Sequence, residues 1–118
     1  MSTIRILHNP RCSKSRQTLA LLQENGIEAE VIEYLKSPLN ADQLSAIKSR
    51  LGITSFIEMM RVKEAEFNTA GLSKKDSNED ELLQAMVEYP KLIERPIVVT
   101  EQRAAIGRPP EAVMELFN

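Results

Sequence analysis

Thr3-Ile4-Arg5-Ile6-Leu7-His8-Asn9-Pro10-Arg11-Cys12-Ser13-Lys14-Ser15-Arg16 is the stretch on which the reading of this chain turns. Its first five residues alternate like a short strand, and Ser15 to Glu24 carries Leu19 and Leu22 on one helical face. Cys12 therefore falls where a strand ends and a helix begins. Unpaired backbone N–H groups and the positive end of the helix dipole meet at such a turn. Both favour a thiolate, the nucleophilic form of cysteine. Arg11, Lys14 and Arg16 add cations close by, and Pro10 pre-sets the turn while removing one N–H. This is the only cysteine of the chain, and His8 is its only histidine. A lone cysteine is commonly a small buried hydrophobe. The polar run around Cys12 argues instead for an exposed, reactive thiol. His8 by itself reads as a hydrogen-bonding support for the turn, because nothing else in the sequence orients it as a base.

Outward from this stretch, Asn25-Gly26 closes the first helix, and Glu28 to Tyr34, with Val31 and Ile32, reads as a second strand ended by Ser37-Pro38. A strand, helix and strand joined by short connections predict parallel pairing. The middle of the chain reads as helical. Asn40 with Gln43 opens a helix bearing Leu44, Ile47 and Leu51 that Gly52 closes. Ser55 with Glu58 starts a short apolar helix that delivers Arg61, and Lys63 to Thr69 adds a turn or two, closed near Gly71. Asn78 precedes a helix with Glu79, Asp80 and Glu81 in its first turn and Leu82, Leu83, Met86 and Val87 on its apolar face, stopped by Pro90. The acids read as dipole complement and the methionines as core filler. Ile97 to Thr100 then pairs with Ala104 to Ile106 across a short turn, and Pro109-Pro110-Glu111 opens a last helix. The resulting order is βαβ, a helical insertion at about 38–90, then ββα. It predicts an α/β fold in which a mixed sheet is flanked by helices, and without the insertion the order is thioredoxin-like.

The 118 residues, 42% of them hydrophobic, are enough for one domain with a real core. A formal net charge of −2 leaves no broad basic surface for nucleic acid or anionic membrane. A local group of cations in an acidic chain points to a small anion instead. One cysteine excludes an internal disulfide, no metal-ligating cluster stands out, and no stretch approaches membrane-spanning length. The start, Met1-Ser2-Thr3-Ile4-Arg5, has no long apolar run, and the expectation is a cytoplasmic monomer.

Arg61, Arg95 and Arg108 each sit at the boundary of an apolar segment. Arg95 precedes Pro96, and Arg108 lies between Gly107 and Pro109, so the backbone aims both side chains. The guanidinium fork matches tetrahedral oxyanions through paired hydrogen bonds. The competing reading is surface ion pairing with Glu58, Glu94 or Glu111.

His8-Asn9-Pro10-x-Cys12-x-x-Ser15-Arg16, together with Arg95-Pro96-Ile97-Val98-Val99 and Arg108-Pro109, resembles the motifs of the glutaredoxin-coupled arsenate reductase (ArsC) family over essentially the whole chain. The resemblance implies a thioredoxin-like fold with a helical insertion and a cis bond at Arg95-Pro96. It implies Cys12 as the nucleophile, with His8 and Ser15 beside it in the catalytic set, and Arg61, Arg95 and Arg108 as the substrate-binding arginines. It further implies reduction of arsenate to arsenite, with no bound cofactor, glutathione as cosubstrate and glutaredoxin as partner. A thiol oxidoreductase acting on another electrophile is one alternative. Another is an Spx-like regulator that binds RNA polymerase, although Ser15 stands where that group's C-x-x-C switch has its second cysteine.

Overall fold

The computed structural model describes residues 4–73 and 77–117. Its strands are β1 (Arg5–Leu7), β2 (Glu30–Ile32), β3 (Ile97–Val99) and β4 (Ala104–Ile106), in the spatial order β2-β1-β3-β4. The first pair is parallel and the other two are antiparallel, which makes the expected mixed sheet. Both N-terminal strands are shorter than the sequence predicts. Thr3 lies outside the described residues. β2 stops at Ile32, and the chain then turns through Glu33, whose carbonyl accepts from the N–H groups of Lys36 and Ser37. As an edge strand β2 leaves Val31 43% exposed, unlike the three buried residues of β3.

The helices are α1 (Ser13–Glu24), α2 (Ala41–Leu51), α3 (Ala65–Thr69) and α4 (Glu79–Glu88), with 3₁₀ segments at Phe56–Met59, Pro90–Leu92 and Pro110–Phe117. The predicted caps at Asn40, Ser55 and Asn78 each form a closed capping box. Gly26, Gly52 and Gly71 turn the chain out of their helices at φ +71°, a conformation that costs other residues energy. The final helix is 3₁₀ rather than α.

Alternation along the short strands sends their side chains to two cores. Ile6 and Val98 pack with Leu22 of α1 and Val113 of the last segment. Leu7, Ile97 and Val99 pack with Leu44, Ile47, Leu82 and Met86 of the middle helices. The sheet is thus covered on both faces, with Ala41–Leu92 supplying one cover. This is a thioredoxin-like α/β fold. No helix among the described residues is long and apolar enough to cross a membrane.

The pairing directions place the site. β1 runs parallel to β2 and antiparallel to β3, which is antiparallel to β4, so the ends of β1, β2 and β4 and the start of β3 share one edge. The loop to Cys12 leaves the end of β1, Tyr34 follows β2, Arg95 precedes β3 and Arg108 follows β4. A bridge between Met60 and Ile93, flanked by hydrogen bonds from Arg61 N–H to Leu92 (2.7 Å) and from Glu94 N–H to Met59 (2.8 Å), brings Arg61 beside Glu94.

Candidate active site

Cys12 is the N-cap of α1, which begins two residues earlier than its apolar pattern indicates. The turn before it is held by its own polar groups. The Cys12 N–H donates to the Asn9 carbonyl at 3.0 Å, the Arg11 N–H to Asn9 Oδ1 at 3.0 Å, and Arg16 Nη1 to the Pro10 carbonyl at 2.9 Å. Arg16 therefore fastens the loop rather than facing a ligand.

The sulfur is half-buried and forms no cap hydrogen bond to the helix. Burial opposes its ionisation, but the N–H of Ser15, the guanidinium of Arg95 and the N–H of Lys14 outweigh it and hold the thiol below its ordinary pKa. Arg108 Nη2 donates to Sγ at 3.8 Å. Of the three arginines singled out from sequence, two therefore stand at the sulfur.

Arg61 is turned more to carboxylates. Its Nε pairs with Glu64 at 3.0 Å and its Nη1 with Glu94 at 3.4 Å. Arg108 Nε pairs with the same Glu94 at 3.0 Å and donates to the Arg95 carbonyl at 2.9 Å. Posed from sequence as rivals, both arrangements occur: Arg95 and Arg108 stand at the sulfur, while Arg61 and Arg108 pair with Glu94 and Arg61 also with Glu64, where the sequence offered Glu58, Glu94 or Glu111. Glu58 closes the cap at Ser55 instead.

His8 and Ser15 are buried, 6% and 0% exposed. The Asn9 N–H donates to Ser15 Oγ at 3.0 Å, and Ser15 Oγ lies 2.7 Å from His8 Nδ1. The Ser15 hydroxyl thus faces His8, and the backbone N–H of this residue favours the thiolate without closing a cap hydrogen bond. Burial depresses the His8 pKa; Glu33 opposes the shift and Arg16 adds to it. A neutral ring that accepts at Nδ1 is consistent with both the contact and the shift.

Both the Arg95–Pro96 and Arg108–Pro109 peptide bonds are cis, the second unforeseen. Gly107 explains how these two segments lie so near α1. A Cβ there would stand 2.6 Å from Thr18 Oγ1 and 2.7 Å from Pro96 Cγ, closer than real side chains pack. Among the described residues, Arg95 Nε is buried without a hydrogen-bond partner, as is the hydroxyl of fully buried Tyr34. Burial works against the Arg95 charge, yet Cys12 and Tyr34 beside it raise its pKa. For Tyr34, burial prevails over Arg95 and Arg61 and raises the phenol pKa. Tyr34 was not foreseen at the site, and Glu94 was foreseen only as a surface ion-pair partner of the arginines. For Tyr34 the available signal was the parallel pairing, which puts the end of β2 beside the end of β1.

Fold and site together define a thioredoxin-like protein with one activated cysteine at a helix start, facing a guanidinium wall. The chain belongs to the ArsC family, whose profile matches residues 7–116. It is 47% identical over 113 residues to an arsenate reductase of Neisseria meningitidis serogroup A, covering 96% of this chain and 97% of that protein. It is 51% identical over 115 residues to the uncharacterized Escherichia coli protein YfgD, covering 98% and 97%. Among solved structures, the arsenate reductase from Vibrio cholerae superposes with a TM-score of 0.92 at 46% identity over 96% of both chains.

Proposed function

We propose that this protein reduces arsenate to arsenite, with Cys12 as nucleophile and glutathione and glutaredoxin as electron donors. The observation that carries the reading is the sulfur at the N-cap of α1 with Arg108 Nη2 3.8 Å away and Arg95 beside it. Family membership and arsenate reductase relatives at 45–47% identity support it.

The Cys12 thiolate attacks arsenic, a sulfur–arsenic bond forms, and one oxygen leaves as water. Arg95 and Arg108 neutralise the oxyanion as charge builds on it, with Arg61 behind them. Glutathione then bonds to the same arsenic and a second oxygen leaves as water. A glutaredoxin thiolate attacks the glutathione sulfur, and the glutathione–arsenic electron pair stays on arsenic, reducing As(V) to As(III). Water finally releases arsenite and restores the Cys12 thiol. The sum is one arsenate and two external thiols converted into one arsenite, one mixed disulfide and one water. External thiols are required because Cys12 is the only cysteine of the chain.

The test is NADPH oxidation coupled through glutathione reductase, glutathione and glutaredoxin, with arsenate as substrate. Turnover that needs every component and falls to background in Cys12→Ser is expected. Absence of turnover in the wild type, with Cys12 still open to alkylation, would remove arsenate and leave the thiol site.

A further inference from the structure

Two of the three guanidiniums, those of Arg61 and Arg108, are already engaged by an anion of the protein itself. Glu94 Oε1 lies 3.0 Å from Arg108 Nε, 3.4 Å from Arg61 Nη1 and 3.4 Å from the backbone N–H of Arg95. One carboxylate oxygen therefore meets all three residues of the arginine set. The Glu94 side chain is only 21% exposed, and with Arg61, Lys63, Glu64 and Arg108 it lines an open cleft of about 260 Å³. The Arg108 guanidinium that pairs with Glu94 through Nε is the one that reaches Cys12 Sγ through Nη2. An anion arriving at the sulfur is thus one guanidinium away from a fixed negative charge.

We infer that Glu94 is a specificity-determining positioning residue, an internal counter-anion that holds Arg61 and Arg108 in place and keeps ground-state oxyanion binding weak. The inference rests on the arsenate reading and deepens it. Inorganic phosphate shares the tetrahedral shape and the charge of arsenate, so neither hydrogen bonds nor Coulomb attraction tell the two apart. A site that bound such anions tightly would fill with phosphate. Attack of the thiolate on the central atom separates them, since arsenate exchanges oxygen for sulfur readily and then accepts a pair of electrons, whereas inorganic phosphate exchanges slowly and is not reduced by thiols. Weak uniform binding leaves the selection to that step. Glu94 weakens binding by repulsion and by offsetting part of the guanidinium charge. At the same time its hydrogen bond to Arg61 Nη1 and its ion pair with Arg108 Nε keep both forks oriented, which a simple loss of one arginine would not do.

The experiment measures alkylation of Cys12 by iodoacetamide, an uncharged reagent, in the full chain as inorganic phosphate is raised at constant ionic strength. Glu94→Gln keeps an acceptor oxygen and removes the charge, whereas Glu94→Asp keeps the charge. In Glu94→Gln the phosphate concentration that gives half-protection falls by about three- to tenfold, the scale of one removed like charge nearby. In Glu94→Asp it stays near the wild-type value. An unchanged or higher half-protection concentration in Glu94→Gln, equal shifts in both variants, or no protection in any of the three proteins would overturn the proposal. A thermal melt of each variant accompanies the titration, and if Glu94→Gln does not fold, tighter or equal phosphate protection in Glu94→Asp relative to a folded Glu94→Ala overturns it. Phosphate protection needs no turnover. A wild type inactive on arsenate whose Glu94→Gln form still gains phosphate protection would therefore sink the arsenate reading alone. Arsenate turnover with no such gain would sink only the role of Glu94.

Discussion

Two kinds of helix start can be set side by side in this protein. In α2 and α4, Asn40 and Asn78 accept from the N–H groups of Gln43 and Glu81, whose side chains accept in return from the cap N–H. The 3₁₀ segment at Phe56–Met59 has the same arrangement through Ser55 and Glu58. Acids occupy these first turns: Asp42, Glu58, and Glu79 with Asp80 and Glu81. Helix α1 has Cys12 at the cap, no cap hydrogen bond from its side chain and no acid in its first turn. The first kind satisfies its free N–H groups with its own side chains and serves stability. The second leaves N–H groups and dipole facing a sulfur, and the benefit goes to the thiolate. One physical device thus does two jobs, and the cap residue decides which.

The sharpest way to break this contrast is to remove the cation that completes the open start. Arg95→Ala should cost about 2–4 kcal/mol of transition-state stabilisation, or about 30- to 1,000-fold in arsenate turnover. It should also move the pH midpoint of Cys12 alkylation upward, because this guanidinium helps to depress the thiol pKa. Unchanged turnover would assign Arg95 to structure.

A smaller effect is expected at a closed start. Asn78→Ala should destabilise the fold by about 1 kcal/mol in urea unfolding while leaving the alkylation midpoint of Cys12 where it was. A shift in that midpoint would mean that the caps of the helical insertion and the thiol site are not independent.

The smallest effect converts the open start towards the closed kind. Lys14→Glu places an acid in the first turn of α1, and the dipole interaction should favour the helix by about 0.3–1 kcal/mol. The same charge disfavours the thiolate, so the alkylation midpoint should rise by a few tenths of a pH unit. A fall in the midpoint would contradict the electrostatic account of the site.

Residues whose job is local are legible in the amino-acid sequence. Asn40, Ser55, Asn78 and Gly52 act on backbone groups a few positions away, so spacing alone exposes them. Cys12 at a helix start belongs to the same class. Element ends are less legible. The reach of β2 depends on how many hydrogen bonds β1 offers it, and the last segment tightens to 3₁₀ although its apolar residues also suit an α-helix.

The sequence by itself determined the order of elements, the thiol on its turn and the three arginines as candidates, because propensity, capping and the backbone limits of Gly and Pro operate over a few residues. Only the tertiary structure decided which of those groups meet. Arg61, Arg95 and Arg108 come together through the antiparallel pairing of β3 and the Met60–Ile93 bridge. Glu94 as their shared partner, the burial of Tyr34 and the turning of the Ser15 hydroxyl towards His8 follow from the same packing. Such contacts join residues far apart in the chain, and their geometry is set by the register of strands and by what each core leaves room for. No local pattern carries that information.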